Sequence, residues 1–298
     1  MKSVSVIIPA KNEAASVGKV VDEIRRILPT AEVLVVDDGS TDDTADIARK
    51  AGATVASHPR SLGNGAAIKT GARKAGGEIL VFLDADGQHQ ARDIPSLLDQ
   101  LDQGFDMAVA ARSPGDQASL GRLAANGIYN LFASLITGHR IPDLTSGFRA
   151  VRAKLFRRFL FVLPNGFSYP TTITMCFLRA GYPVSFIPVS MKQRQGRSHI
   201  RPLRDGLRFL VIIFKVATLY SPLKIFLPTS AAFLSVGLAY YLYTYLSFGR
   251  LTNMTVFLLV SAVFVFLIGL VSEQITALTY RDTDQPDRAS NRGRQSSQ

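Results

Sequence analysis

The sequence predicts an α/β domain with a mixed, mostly parallel sheet and flanking helices, followed by a hairpin of two membrane-spanning helices. Three observations favour this order. Short apolar runs alternate with amphipathic stretches up to about residue 190. Two later runs, 225–249 and 251–272, contain no charged residue. Between them and the first region, residues 191–224 hold eight Lys and Arg residues against one Asp.

The N-terminal pattern places strands and helices in alternation. The predicted strands are 4–8, 33–36, 54–57, 79–83 and 107–111. The predicted helices are 14–28, 42–51, 65–74 and 94–101, with Ser40 or Thr41 as a cap of the second helix. Strands that alternate with helices form a parallel sheet covered on both faces.

The charge-free runs predict membrane spans at about 225–248 and 254–276, because each run can cross a hydrocarbon core of about 30 Å at about 1.5 Å per residue. The basic flank predicts that the N-terminal domain and both termini are cytoplasmic. The apolar stretch after Met1 is too short for a signal peptide. The predicted parts are therefore a cytosolic domain at 1–198, amphipathic interfacial helices at 199–222, the membrane hairpin at 223–280 and a disordered tail at 281–298.

The net charge of +11 raises the question of a nucleic-acid partner. The excess lies beside the first predicted span, so anionic lipid is the partner that it favours, and we expect no nucleic-acid binding.

Polar residues follow four of the predicted strands. They are Pro9 to Glu13, Asp37 with Asp38, Asp84 with Asp86, and Arg112. Ligands of parallel sheets bind beyond the carboxyl ends of the strands, so these residues are expected to share one rim.

Asp84 and Asp86 point to the same side of an extended segment, because side chains alternate along a strand. Two neighbouring carboxylates are unfavourable unless a cation lies between them. With Gln88 as a third oxygen donor, they predict a Mg²⁺ or Mn²⁺ site that binds a diphosphate. The alternative for an isolated Asp-x-Asp is a polar turn after a strand.

Six motifs in order resemble the family-2 glycosyltransferases with the GT-A nucleotide-sugar fold, and above all the polyprenyl-phosphate sugar transferases of the dolichol-phosphate mannose synthase type. The motifs lie at 6–13, 35–42, 63–72, 84–89, 143–149 and 196–199. The third contains Gly63 and Gly65, but Ile68 replaces the glycine that a dinucleotide-binding loop requires.

The resemblance implies three sets of site residues. The nucleotide-sugar set is Pro9, Ala10, Asn12, Glu13, Val36, Asp37, Asp38, Asp84, Ala85, Asp86, Arg112, Arg194 and His199. The catalytic set is Asp86, Asp143, Arg112, Arg122 and Arg194, and the metal ligands are Asp84, Asp86 and Gln88. The sequence departs from the family at His199, where the family usually has lysine.

The implied activity is inverting transfer of a single hexose from a nucleotide sugar, of the GDP-mannose or UDP-glucose type, to undecaprenyl or dolichyl phosphate at the cytosolic membrane face. A processive polysaccharide synthase is an alternative, but its Gln-x-x-Arg-Trp signature cannot occur in a chain without Trp. A non-catalytic, nucleotide-sugar-binding membrane scaffold is the other alternative. Assembly into a homo-oligomer is left open.

Overall fold

The computed structural model describes residues 2–112, 120–166, 169–189, 214, 218 and 220–281. The chain divides into two units, Met1–Phe209 and Leu210–Gln298. Most of the predicted interfacial segment, and the predicted tail after residue 281, lie outside the described residues.

The first unit is built on a mixed sheet, as predicted. In the described ranges it has seven strands: β1 (Val4–Ala10), β2 (Glu32–Asp37), β3 (Thr54–Ser57), β4 (Ile79–Phe82), β5 (Met107–Arg112), β6 (Arg149–Arg152) and β7 (Val184–Val189). The order is β3-β2-β1-β4-β6-β5-β7. Only β6 runs antiparallel to its neighbours, so β1, β2, β4 and β5 all end at the same edge. The rim predicted from the four strand ends therefore exists.

Seven α-helices are described in this unit, besides a short 3₁₀ helix at Ala91–Asp93: α1 (Val17–Ile27), α2 (Thr44–Lys50), α3 (Asn64–Lys74), α4 (Ile94–Asp102), α5 (Leu120–Thr137), α6 (Ala153–Arg158) and α7 (Tyr169–Arg179). The predicted cap of α2 was wrong, because this helix begins at Thr44. The hydroxyl of Ser40 instead accepts a hydrogen bond from the backbone N–H of Asn12, at 3.0 Å.

The core lies on both faces of the sheet. All four residues of β4 are buried, and so are the central residues of β1 and β2. Helix α1 covers one face with Val17, Val20, Val21 and Ile24, which are spaced to form one apolar stripe. Burial on both faces is the reason that these segments are almost entirely apolar in the sequence, with Ser5 of β1 as an exception.

The second unit contains two long apolar helices, α8 (Leu223–Phe248) and α9 (Asn253–Arg281). Segments of 26 residues in each, with mean hydropathy 1.6 and 2.8, are long and apolar enough to cross a membrane. They contain the predicted spans 225–248 and 254–276. Gly237 packs against Leu259, and Ser230 Oγ donates a hydrogen bond to the carbonyl oxygen of Ala262, at 2.8 Å. These contacts between the helices make a hairpin.

Glu273 ties the two ends of this hairpin together. Its Oε2 accepts hydrogen bonds from Ser221 Oγ and from the backbone N–H of Leu223, each at 3.2 Å. A carboxylate at the start of a helix satisfies a free N–H group and interacts favourably with the helix dipole.

Candidate active site

The loops after β1 and β2 bind to each other and form the first part of the rim. Asn12 Oδ1 accepts a hydrogen bond from the backbone N–H of Thr41, at 2.8 Å, and Asn12 has a positive φ of 55°. The backbone N–H of Glu13 donates to Thr44 Oγ1, also at 2.8 Å. Asp37 is buried, and its Oδ1 accepts from the N–H of Ser40. The structure thus brings together the predicted nucleoside-binding residues of both loops.

Asp38 holds the loop that follows β3. Its carboxylate accepts four hydrogen bonds of 2.7–2.9 Å, from His58 Nδ1, Ser61 Oγ and the backbone N–H groups of Leu62 and Gly63. Burial alone would raise the pKa of Asp38, but these donors lower it to about 2. The sequence predicts Asp38 as a nucleoside ligand, and in the structure its oxygens also accept hydrogen bonds from the protein, so Asp38 helps to order the rim.

Gly63 and Gly65 allow close packing between the start of α3 and the segment after α6. A Cβ atom at Gly65 would overlap the carbonyl oxygen of Pro164. The backbone N–H of Ala66 donates to the carbonyl oxygen of Asn165, at 2.9 Å. This close approach explains the two glycines, since a side chain would separate the backbones.

The acidic pair follows β4. Asp84 keeps 39% of its side chain exposed, while His89 beside it is buried and places Nε2 3.4 Å from Asp84 Oδ2. Asp86 Oδ1 accepts from the backbone N–H of Gln88, at 3.0 Å. His89 Nδ1 is buried, and no described residue forms a hydrogen bond with it. The contact with His89 restrains one oxygen of Asp84 and leaves the carboxylate accessible.

The donor set suits a hard divalent cation bound with a substrate. In the described ranges, no group of three or more His, Cys, Asp or Glu side chains is arranged to hold a metal ion. Asp84 and Asp86 supply two carboxylates, and Gln88 adds an amide oxygen. Mg²⁺ is commonly held by one or two carboxylates and completed by water and substrate phosphates, so these residues fit such an ion.

Arg112, the last residue of β5, forms a two-point ion pair with Asp143. Nε donates to Oδ2 at 2.7 Å and Nη2 to Oδ1 at 3.0 Å, and Nη2 also donates to Thr145 Oγ1. Burial alone would raise the pKa of Asp143, but Arg112 and backbone N–H groups hold it below its ordinary value. Burial alone would lower the pKa of Arg112, but Asp143 and the charge of Asp84 raise it. Both groups are therefore charged at neutral pH.

A pocket of about 110 Å³ opens beside Asp84. Its lining residues come from α3, the end of β4, the segment before β6 and the start of α7: Asn64, Asp84, Thr145, Gly147, Tyr169, Pro170 and Thr171. Gly147 permits the close approach, because a Cβ atom there would lie 3.3 Å from Asp84 Oδ2. Tyr169 donates its hydroxyl hydrogen to the carbonyl oxygen of Gly147, at 3.2 Å.

Four of the remaining predicted residues lie at or next to the ends of β1, β2 and β4. Pro9, Ala10 and Val36 lie at the ends of β1 and β2, and Ala85 is buried between the two aspartates. Arg194 and His199 lie outside the described residues, and Arg122 is described only as part of the backbone of α5.

Residues 5–160, more than half of the chain, match the family model described as Glycosyl transferase family 2. The chain belongs to glycosyl transferase family 2. Residues 221–278 match a second model, described as GtrB C-terminal hairpin, which covers α8 and most of α9.

Several relatives of this family-2 chain carry names that include a polyprenyl acceptor. The polyprenol monophosphomannose synthase of Mycolicibacterium smegmatis is 29% identical over 228 residues, which are 71% of this chain and 84% of the relative. The dolichyl-phosphate hexose transferase of Haloferax volcanii is 28% identical, over 71% of this chain and 92% of the relative. A Salmonella paratyphi B undecaprenyl-phosphate 4-deoxy-4-formamido-L-arabinose transferase is 35% identical, over 51% and 49%.

Solved structures of the same fold contain a metal ion and a nucleotide. Glucosyl-3-phosphoglycerate synthase from Mycobacterium tuberculosis, with Mn²⁺, UDP and glucosyl-3-phosphoglycerate, is 25% identical with a TM-score of 0.57, and the match covers 72% of this chain and 78% of that chain. Its complex with Mn²⁺ and UDP-glucose is 26% identical with a TM-score of 0.55, over 70% and 75%.

Sequence reasoning on this family-2 transferase missed several residues of the site. Thr145 and Tyr169 line the pocket, and Arg149 lies next to it. Thr145 and Arg149 fall inside the motif at 143–149, so that motif was the available signal. No sequence motif pointed to His58, because its hydrogen-bond partner Asp38 is 20 residues away in the sequence.

Proposed function

We propose that this chain transfers a single hexose from a nucleotide sugar to a polyprenyl phosphate, at the cytosolic membrane face and with inversion at the anomeric carbon. One observation carries the proposal. The rim combines an exposed carboxylate beside a pocket, Asp84, with a fixed and charged Arg112 whose pKa responds to that same carboxylate. Such a site is suited to two anionic substrates that must meet without repulsion.

The donor half of the proposed site is the rim formed by β1, β2 and β4. Asn12, Glu13 and Asp37 are the expected contacts of the nucleoside, and Asp38 keeps the neighbouring loop in place. Asp84, Asp86 and Gln88 would hold Mg²⁺ or Mn²⁺ against the diphosphate. The ion would supply Lewis-acid stabilisation of the departing nucleoside diphosphate. The Mn²⁺-containing structural neighbours support this assignment.

The acceptor half is the Arg112–Asp143 pair with Arg122 and, outside the described residues, Arg194 and His199. In the described part of the chain, no group accepts a hydrogen bond from Arg112 Nη1. Asp143 fixes the guanidinium plane, so that Nη1 can donate to an acceptor phosphate without the cost of ordering a free side chain.

The proposed reaction is a single displacement. An oxygen of the acceptor phosphate forms a bond to the anomeric carbon, while the bond from that carbon to the donor diphosphate breaks. The nucleoside diphosphate leaves with the electron pair of that bond. The attacking phosphate is already anionic, so no side chain has to remove a proton, and the basic groups of the site serve to bind and orient the substrates.

The acceptor assignment rests on the second unit and on the relatives. A hairpin of two helices that can cross a membrane would keep the catalytic unit near a lipid substrate. The names of three relatives include a polyprenyl or dolichyl acceptor. Either GDP-mannose or UDP-glucose is the proposed donor.

The test uses the purified full-length chain in detergent, with a panel of nucleotide sugars, Mn²⁺ and undecaprenyl or dolichyl phosphate. We expect release of nucleoside diphosphate only when donor, metal and lipid phosphate are all present. A soluble acceptor, 3-phosphoglycerate, serves as the comparison, because structural neighbours bind it. Transfer to 3-phosphoglycerate but not to the lipid would overturn the acceptor, and an α-linked product from an α-linked donor would overturn inversion.

Asp86→Ala tests the metal site, with Asp99→Ala as the matched control. Asp99 is exposed on α4, outside the site. We expect the Asp86 variant to lose activity by about 10²-fold or more, as for loss of a transition-state charge stabiliser. The Asp99 variant should match the wild type. Full activity of Asp86→Ala would remove this residue from the metal site.

A further inference from the structure

Arg149, the first residue of β6, is buried completely although it carries a charge. Its neighbours are neutral. Nη1 donates to the carbonyl oxygen of Pro170 and to Thr174 Oγ1, each at 3.1 Å, and Nη2 donates to the carbonyl oxygen of Ser146. Nε has no hydrogen-bond partner among the residues that the structure describes. The guanidinium carbon lies 5.8 Å from the centre of the Tyr169 ring.

No carboxylate of the described residues forms an ion pair with Arg149. An unpaired buried charge is costly, and proteins usually place a counterion in contact with it. Here the groups that act on Arg149 through their electrostatic field are Tyr169, Asp143 and Asp84. Burial lowers the pKa of Arg149, but an arginine remains protonated in proteins.

The contacts of Arg149 join two walls of the pocket beside Asp84. Ser146 stands between Thr145 and Gly147, which line one wall, and Pro170 and Tyr169 line another. Removal of the guanidinium would therefore separate the segment before β6 from the start of α7. The same change would remove a buried positive charge that contacts the pocket-lining residues Tyr169 and Pro170.

We propose that Arg149 is a positioning residue of this site: it holds the two pocket walls together and supplies a fixed positive charge that stabilises the donor's diphosphate. This inference rests on the proposed function. Arg149 acts through the residues that it binds and through its field, which is strong because the guanidinium is buried in a region of low dielectric constant. The expected ligand chemistry is a nucleoside diphosphate.

The test compares a nucleoside diphosphate, with its Mn²⁺, with the nucleoside of the same base. The full-length chain is titrated with UDP and GDP, each with Mn²⁺, and with uridine and guanosine. The variants are then compared with the diphosphate and the nucleoside of the base that the wild type binds. In Arg149→Met, which is similar in length but neutral, we expect diphosphate affinity to fall about tenfold or more and nucleoside affinity to change less than about twofold. If Arg149 only held the pocket walls together, without an electrostatic role, its replacement by methionine would lower both affinities equally.

Arg149→Lys keeps a charge but cannot hold both walls. We expect it to retain the wild-type ratio of diphosphate to nucleoside affinity within about threefold, and to lose kcat because the walls are less well aligned. If the methionine variant does not fold, the lysine variant provides the test. A folded Arg149→Lys whose ratio of diphosphate to nucleoside affinity falls well below the wild-type ratio would contradict the proposed role of the charge. Arg152→Met, on the same strand but paired with Asp106 at 2.9 Å, is the control and should leave the ratio unchanged.

Two outcomes would overturn the inference: a folded Arg149→Met with wild-type affinity for the diphosphate, or equal losses for diphosphate and nucleoside. Because these titrations contain no acceptor, they are independent of the proposed acceptor. A wild type that binds nucleoside diphosphate but glycosylates no polyprenyl phosphate would refute the proposed function and leave the role of Arg149 standing.

Discussion

Asp143→Asn would break the charged pair that joins the end of β5 to the segment before β6. The substitution keeps the shape of the side chain and removes its charge. Arg112 then stays in a largely buried position without its counterion, and the hydrogen bond from Arg112 Nε to Oδ2 or from Nη2 to Oδ1 is lost. We expect both lower stability of the catalytic unit and weaker acceptor binding.

The magnitude follows from burial. Side-chain exposure is 6% for Asp143 and 27% for Arg112. Removal of one partner from a fully buried pair costs about 3–5 kcal/mol. Because Arg112 retains access to water and asparagine still accepts one hydrogen bond, we expect a loss of about 2–3 kcal/mol. For a domain of roughly 200 residues this lowers the unfolding temperature by about 4–12 °C.

The assay uses the single cysteine. Cys176 lies fully buried in α7, so a thiol-reactive dye labels it only when the catalytic unit opens. The chain has no Trp, so tryptophan fluorescence is not an option. Asp106→Asn is the matched control, because its ion pair with Arg152 is more exposed. We expect a smaller shift for this control, of about 1 kcal/mol or less.

The pH dependence of the stability difference between wild type and Asp143→Asn gives a second test, because the direction of its change with pH is determined by the lowered pKa of Asp143. The folded-state pKa of Asp143 is lowered, so its stabilising effect is complete above the unfolded value of about 3.9 and is lost as the pH falls through the folded value. The difference between wild type and Asp143→Asn should be constant from pH 8 to about 5 and shrink below about pH 4. Equal unfolding temperatures at pH 7, or a difference that grows in acid, would refute the reasoning.

Three further predictions concern other parts of the chain. Asp38→Asn should destabilise the catalytic unit by about 1–3 kcal/mol in the Cys176 assay, because it disrupts the four hydrogen bonds that hold the loop after β3. It should also raise the KM for the donor. An unchanged unfolding temperature would contradict this prediction. Gly65→Ala should cost about 1–3 kcal/mol in the same melt through overlap with a carbonyl oxygen, whereas Gly166→Ala has open space around its Cβ and should melt like the wild type. Glu273→Ala should speed hydrogen exchange in the first turn of α8 about fivefold, equivalent to about 1 kcal/mol for a lost helix cap, and unchanged exchange would show that this carboxylate does not hold the hairpin.

The sequence was sufficient for the part of the sheet in which periodicity and burial agree. β1, β2 and β4 are buried on both faces, so their inner residues are apolar except for Ser5, and polar residues mark the points where the strands end. The acidic residues at these ends therefore predicted a common rim. The bounds of the strands differ from the prediction by at most two residues, as at β1, which continues to Ala10.

The rest depended on contacts between distant residues. β6 is four residues long, begins and ends with arginine, and has no pattern that distinguishes it from a loop. Arginine is rarely buried, so composition gave no reason to place Arg149 in the interior. Glu273 follows a charge-free run and reads as the end of a span, although its partner at Leu223 lies 50 residues earlier.

The reversed direction of β6 has a consequence for the exchange of parts between related enzymes. Because β6 runs antiparallel between β4 and β5, it joins two blocks of the sheet, β3-β2-β1-β4 and β5-β7, and its first residue pairs with both, in Phe82↔Arg149 and Val109↔Arg149. A chimera that takes its first block from one relative and its second from another would need to keep the register of β6 with β4 and also its register with β5. Donor and acceptor preferences should therefore be exchangeable as modules only when residues 143–152 are inherited with both blocks in register.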